Sequence, residues 1–455
     1  MRQLRAIFLA LSLVLMLILN ACGSGSSGNR EENNGITRQE LASGNSYIPC
    51  PSRTNTAAAA PEHGSITLTV SGSTSTPSED ALVQQNLQRF EALHPTIKIN
   101  WSPIPGDYAT KMRANVASNT VPDVFYLLSA MSSKYISASK LLNLSPYMAR
   151  DGIKASDYYP SLLNPFVCNS GQIYGLPKDW SSLGVFYNKQ MFQAAGLAVP
   201  GPNWTWHDMQ SDAQKLTRNV GTTNSVYGAV LSSDLSRWGA FLRTAGGSVL
   251  NHAGTQAAFN SRQGVSALQF YDSFFKAQTG AQPTAVGAPW SGDAFGKQRA
   301  AMVIEGSWLI PYLSSTYSQV PYSIAPLPVA SDGTRANLAF TNAWSAYAGT
   351  QHPEATWELI KYMTSAAVQE SQLNAGFALP TLKSLANASY FSAHPDFKVL
   401  FDAAPYSYAD DYGALDTTIH TVVSNAISAV LLNKQDPQSA LNDAAIRVNN
   451  ALQEG

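Results

Sequence analysis

Charge is what this chain is short of. Only 13% of its 455 residues are Asp, Glu, Lys or Arg, against a usual share of about 25%. Neither sign dominates: Lys and Arg number 29, Asp and Glu 30, for a net charge of -1. The basic excess of a nucleic-acid-binding protein is therefore missing. Cysteine is scarce too, at three residues, which excludes a disulfide-dense scaffold. The seven histidines are scattered, and no two stand at i and i+4. No zinc or other metal site is expected, and no cofactor. No repeat of 20–50 residues is present, which excludes a solenoid.

What is there is apolar and neutral polar. Hydrophobic residues reach 45%, enough for real cores. Ser, Thr, Asn, Gln and Tyr supply the polarity, and such a surface suits uncharged polar ligands. The length exceeds the ~250–300 residues at which single cores stop growing, so two domains are expected.

The first residues read as an address. Arg2 and Arg5 precede an apolar run of 14 residues at 6–19, short of the about 20 that a spanning helix needs. This pattern is a secretory signal peptide, assigned to residues 1–21. It ends in Leu19-Asn20-Ala21-Cys22, which resembles the lipobox of bacterial lipoproteins. The resemblance implies that Cys22 receives lipid and holds the protein at a membrane surface. Residues 22–62 are rich in Gly, Ser, Asn and Ala, the composition of a flexible tether. Cys50 lies in that stretch and Cys168 in the body. An oxidising compartment would allow them to pair, but distance is not legible in sequence and pairing stays open.

The body alternates strand and helix. Ile66, Leu68 and Val70 alternate with threonines, as in a strand. Val83, Leu87 and Phe90 form one helical face, closed by His94-Pro95. Residues 97–101 alternate again, giving a parallel βαβ unit. A helix over 108–117 and a strand after Pro122-Asp123 follow, then a strand at 185–187. A helix over 206–216 starts behind Thr205, a good N-cap. Pro353 opens another helix. Asp436-Pro437 opens a last one, whose stripe is Leu441, Ala445, Val448 and Leu452. The fold class is α/β.

Several patches, in one order along the chain, resemble a known family. Phe90-Glu91-Ala92-Leu93-His94-Pro95 is followed by Ile97-Lys98-Ile99. Ala117-Ser118-Asn119-Thr120-Val121-Pro122-Asp123-Val124-Phe125 comes next. Then come Tyr174-Gly175-Leu176-Pro177, Phe186-Tyr187-Asn188-Lys189, Ala195-Gly196-Leu197 and Trp204-Thr205-Trp206. Gly246-Gly247, Ala300-Ala301-Met302, Gly306-Ser307-Trp308 and Leu379-Pro380 complete the series. From about residue 65 to the C-terminus the sequence is similar to extracellular solute-binding proteins of ABC importers. The likeness is to their carbohydrate-binding, maltose-binding-protein-like family. The resemblance implies a two-lobe periplasmic-binding-protein-like fold with a hinge and an interlobe ligand cleft. Lobe I would hold 63–178 and 328–372, and lobe II 179–327 and 373–455. It implies a sugar or oligosaccharide ligand, ABC permease subunits as partners, a monomer and no nucleic acid. The location implied is the outer face of the cytoplasmic membrane, or the periplasm, of a bacterium.

Site residues follow from the same resemblance. Trp308 would stack on a sugar ring; the bland alternative is a core tryptophan at a helix start. Glu305 before it would accept sugar hydroxyls, or be a solvated turn carboxylate. The crossing strand places a polar contact near Ser181. Either Asp179 or Trp180 points into the cleft, and packing on the hinge is the other reading of Trp180. Tyr126 and Ser129 sit at the C-terminal end of a strand, where ligands bind in open α/β sheets. Leu127 stands where the family often has an aromatic. Asp123 reads as structural. Ser73 and Thr74, in the loop after the first strand, are uncharged contacts. Trp238 borders the cleft or fills the core, and Trp344 is a second stacking candidate. His420 and Tyr412 are weaker ones.

Other classes have thin support. The run Gly292-Asp293-Ala294-Phe295-Gly296-Lys297 lacks the spacing and the Ser or Thr of a P-loop. No nucleophile elbow and no paired acidic motif stand out, so the chain is not expected to be an enzyme. The alternatives are the same fold binding a non-sugar solute such as a polyol phosphate, or a secreted carbohydrate-active enzyme. Lys178, Arg237 and Lys297 are the few cations near the expected site.

Overall fold

The computed structural model describes residues 48–51, 64–74 and 77–454. The expected signal peptide, Cys22 and most of the expected tether lie outside these residues. Among them, no helix is long and apolar enough to cross a membrane.

Two sheets organise the chain. The first begins with β1 (Ile66–Ser71), in which Ile66, Leu68 and Val70 point inward while Thr67 and Thr69 face out. Helix α1 (Pro77–Leu93) buries Val83, Leu87 and Phe90, and β2 (Ile97–Trp101) returns parallel to β1. Helix α2 (Tyr108–Ala117) starts where the Asp107 side chain accepts from the Thr110 amide. It leads to β3 (Val124–Leu128), also parallel to β1, and then to α3 (Ser129–Ser137). Strand β4 (Gly175–Ser182) carries the chain out of this lobe.

The second sheet starts at once with β5 (Gly184–Asn188). Gly184 is a glycine of necessity: a Cβ there would stand 2.6 Å from Ile324 and 2.9 Å from Leu400. Helix α4 (Trp206–Leu216) is capped as expected, with Thr205 and Asp208 bonded reciprocally. Then come β6 (Tyr227–Val230), α5 (Leu235–Thr244), α6 (Arg262–Lys276), β7 (Gly280–Ala281), β8 (Ala300–Glu305), α7 (Leu309–Thr316) and β9 (Tyr322–Ala325). The order is β7-β6-β8-β5-β9, with β5 antiparallel to both neighbours.

The chain returns through β10 (Asn337–Ala346), antiparallel to β3 and β4, and α8 (Pro353–Met363) packs on the first lobe. A short strand, β11 (Ser407–Ala409), pairs with β10. It thus joins the first sheet from within the stretch expected in lobe II; three residues carry too little periodicity to announce this. Helices α9 (Asp416–Leu431) and α10 (Pro437–Glu454) close the second lobe, with Val423, Ile427, Leu441 and Val448 in its core. Each sheet carries its own apolar cores. This is a mixed α/β, two-lobe architecture.

Cys50 and Cys168 form a disulfide. Residues 48–51, inside the stretch expected as tether, are thereby fixed to the first lobe. Ile48 is buried there, and its carbonyl accepts from the Asn169 amide at 2.8 Å.

Candidate functional site

The two lobes are joined by a ribbon. Strands β4 and β10 pair from Gly175 opposite Ser345 to Ser182 opposite Ala339, with an irregularity between Asn342 and Ala343. That slip leaves Lys178 without a partner in the ladder. Past it, Asp179 stands opposite Asn342 and Ser181 opposite Phe340. Cross-strand partners and i, i+2 residues share a face. Asp179, Ser181, Phe340 and Asn342 therefore lie on one side, and Trp180 on the other. Trp180 is buried; its indole donates to the Pro380 carbonyl at 2.9 Å, and its ring meets the Phe401 ring edge-on. Trp180 thus packs the hinge, while Asp179 lies partly exposed on the opposite face of the ribbon.

The first-lobe wall is aromatic. The Tyr126 and Trp344 rings meet edge to face at 4.4 Å, and Trp101 lies 6.3 Å from the one and 6.4 Å from the other. Gly72 makes this cluster possible, since a Cβ there would fall 2.6 Å from Tyr126 and 2.8 Å from Trp101. Trp344 is 1% exposed, and among the described residues its indole N–H has no partner. It supports the wall from behind, whereas Trp101 is partly exposed. The Lys178 ammonium sits 4.3 Å above the Tyr126 ring and pairs with Asp179. Burial works against this ammonium, but Asp179, Tyr126 and Glu79 together hold its pKa above the ordinary value. Burial likewise pushes the Tyr126 phenol up to about 12, against the pull of Lys178. Ser73 and Thr74 continue β1 at this edge, partly exposed, and Thr74 donates to the Ile104 carbonyl at 3.2 Å. Ser129 opens α3, partly exposed. Leu127 is fully buried and offers no surface, and Trp101 is the partly exposed ring of this cluster. Asp123 is structural: it accepts from the Thr69 amide and hydroxyl and from the Thr350 hydroxyl.

The second-lobe wall is built on a buried carboxylate. Glu305 closes β8 with no exposed surface. One of its oxygens accepts from the Arg237 guanidinium at 2.6 Å and the Trp308 indole at 2.8 Å; the other accepts from the Ser291 hydroxyl at 2.5 Å. Both oxygens are engaged, so Glu305 is neither a solvated turn residue nor a free acceptor for sugar hydroxyls. It holds Trp308. The indole folds back over Gly306, where a Cβ would stand 2.2 Å from the ring. It lies 5.5 Å from the hinge residue Phe340 and 5.4 Å from the Arg237 guanidinium. Trp308 stays partly exposed. Ser307 donates to the Ser181 hydroxyl from its amide at 2.9 Å and lies 3.0 Å from it through its own hydroxyl. Burial opposes the charge on Arg237, yet Glu305 and Asp234 hold its pKa above the ordinary value. Trp238, beside Arg237, has no exposed surface and packs in the second-lobe core. It does not border the cleft, because α5 turns that side toward the core.

The weaker candidates belong to an acidic strap. The ring of His420 lies 5.4 Å from that of Tyr412, and its Nε2 stands 3.5 Å from Asp410 and 3.6 Å from Asp416. Burial raises Asp411 to about 7, against the Gly413 amide that stabilises its anion. Burial also raises Asp416, to about 6, with His420 acting the other way. This strap lies where Gly413 comes close to Ser133 of α3.

The ribbon and the two walls thus bring Asp179, Ser181, Tyr126, Trp344, Glu305 and Trp308 into one region, and send Trp180 and Trp238 elsewhere. Phe340, Asn342 and Trp101 were missed. Trp101 ends the second parallel strand, a position that the strand-end rule marks. The other two had no local signal.

A binding protein of Brucella abortus is 23% identical over 369 residues, 80% of this chain and 88% of its own. The sugar-binding protein MalE of Xanthomonas citri superposes with a TM-score of 0.76 at 21% identity, over 85% of this chain and 98% of its own. UgpB of Mycobacterium tuberculosis, solved with glycerophosphocholine, gives 0.73 at 20%, over 86% and 99%. These likenesses carry the hinged two-lobe fold. Residues 73–370 match the model of the bacterial extracellular solute-binding proteins, and with well over half of its length inside that match the chain belongs to this family.

Proposed function

We propose that the chain captures a neutral sugar or oligosaccharide between its lobes and delivers it to the permease subunits of an ABC importer. The observation that carries this reading is Trp308. Its ring is partly exposed, pinned through its N–H to Glu305, and lies 5.5 Å from Phe340 of the ribbon that also carries Asp179 and Asn342. A flat apolar surface beside paired donors and acceptors is what a sugar ring and its hydroxyls require. The cations nearby favour an uncharged ligand. Lys178 is matched by Asp179, and Arg237 by Glu305 and Asp234. A phosphate-bearing solute would have to draw one of them off its carboxylate. In this reading the protein works as a monomer on the outer face of the membrane, held by lipid on Cys22. It carries out no catalysis.

Calorimetric titration of Trp308→Ala tests the site. Losing an aromatic anchor costs at least ~2 kcal/mol of binding, about thirtyfold in Kd, with the fold intact. Full affinity together with a large fall in melting temperature would make Trp308 a core residue and remove it from the site. Glycerophosphocholine in place of sugar should give no heat, and sugars should be recovered unchanged after incubation. For the anchor, Cys22→Ala should abolish incorporation of labelled fatty acid; undiminished labelling would refute it.

A further inference from the structure

A second concavity lies apart from the hinge. Helices α4 and α6 flank a cavity of about 910 Å³, and a hollow of about 280 Å³ continues it, sharing His207 and Gln210. Volumes in this range are those of small-molecule sites, roughly 300–1,000 Å³. Helix α5 separates it from the cleft: Arg237 stands near one end beside Trp308, and Thr244 lines the cavity at the other. Seven residues of helix put about 10 Å between them.

The lining has the composition of a carbohydrate site. Trp206 is stacked on Phe270 at 4.5 Å and 26° and is braced by Phe241 at 5.8 Å. The indole is partly exposed, and its buried N–H has no partner among the described residues. Along α6, Gln263, Ser266 and Gln269 are exposed and line the cavity, and their side chains make no hydrogen bond among the described residues. Their spacing of three puts them on one helix face. Each amide offers both donors and an acceptor, the pairing that a sugar hydroxyl uses. Charge is sparse and mixed: Arg262 and Asp332 both line the cavity. Such a lining exerts no net pull on an ion.

We infer that this groove is an accessory site for a neutral glycan chain, with Trp206 as its apolar floor and Gln263 and Gln269 as its hydroxyl partners. The inference does not depend on the cleft reading, because the groove shares no residue with the cleft.

The test is retention of the full protein on an array of immobilised neutral oligosaccharides: α-glucan, β-glucan, galactan and mannan fragments. Binding should survive Trp308→Ala on at least one of these. It should fall at least tenfold in Gln263→Ala/Gln269→Ala, two exposed positions at which the melting temperature should not move. Trp206→Ala should reduce it as well. The groove is refuted if no glycan is retained, if Trp308→Ala alone abolishes all retention, or if the glutamine pair leaves it intact. The cleft reading is judged separately, by calorimetric titration of Trp308→Ala with soluble sugar, so that either reading can fail while the other stands.

Discussion

Glu305 offers the sharpest test of how the second-lobe wall is held. Glu305→Gln keeps the shape and removes the charge. The amide oxygen can take the place of the oxygen that accepts from Arg237 and Trp308, both of them donor-only groups. The amide nitrogen then faces the Ser291 hydroxyl, which can turn to accept. Every hydrogen bond has a replacement, and only the charge opposite Arg237 is lost. Breaking a buried pair by removing one partner costs ~3–5 kcal/mol. Asp234 still faces Arg237 at 3.3 Å, so a cost of about 1–3 kcal/mol is expected here. Glu305→Ala removes the acceptors too and should reach the full ~3–5 kcal/mol. Urea unfolding measures both. Added salt should not abolish the difference from wild type, because Glu305 has no exposed side-chain surface. Ligand titration then separates charge from geometry: Gln should bind within a few-fold of wild type, and Ala, with Trp308 released, at least tenfold worse. If Gln and Ala cost the same, or if neither lowers stability, the argument that Glu305 organises this wall fails.

Two further outcomes are expected. Asp411 and Asp416 have pKa values raised above the ordinary carboxylate value, to about 7 and about 6. The folded state therefore holds more protons than the unfolded one between about pH 4 and 7, and stability should fall as pH rises through that window, by a few kcal/mol in all. Asp411→Asn should flatten the fall in a series of melting curves; an unchanged slope would place the effect elsewhere. Small-angle scattering should show a smaller radius of gyration with saturating ligand, since only the closed state touches it from both lobes; an unchanged radius would count against hinge closure.

How much could be read from sequence divides along contact range. Strand alternation in β1, the apolar stripe of α1 and the Thr205 cap are local patterns, and they gave the α/β order directly. Trp308 was legible through its Gly-x-Trp setting. The choice between Asp179 and Trp180 was not. It turns on a slip at Lys178, set by pairing with β10 more than 160 positions along. Glu305 reads as a turn carboxylate until Arg237, 68 positions earlier, is known to lie against it. The burial of Trp238 depends on which face α5 presents, and that is decided by α6, β10 and helix α9, all later in the chain.

The ribbon of β4 and β10 has a consequence for the kinetics of exchange. Its two strands stay paired across the passage from one lobe to the other, and Asn337 bonds both the amide and the carbonyl of Leu183 where β4 gives way to β5. A connection of this kind moves by twisting, with its ladder unbroken. Amide protons of Trp180, Ser181 and Leu183 should then exchange with deuterium as slowly as those of the sheet interiors, with or without ligand. The protons that respond to ligand should be those beyond the ribbon, in the Ser73–Thr74 loop and around Ser307. A hinge made of irregular chain would behave in the opposite way, fast at the joint and quiet at the walls.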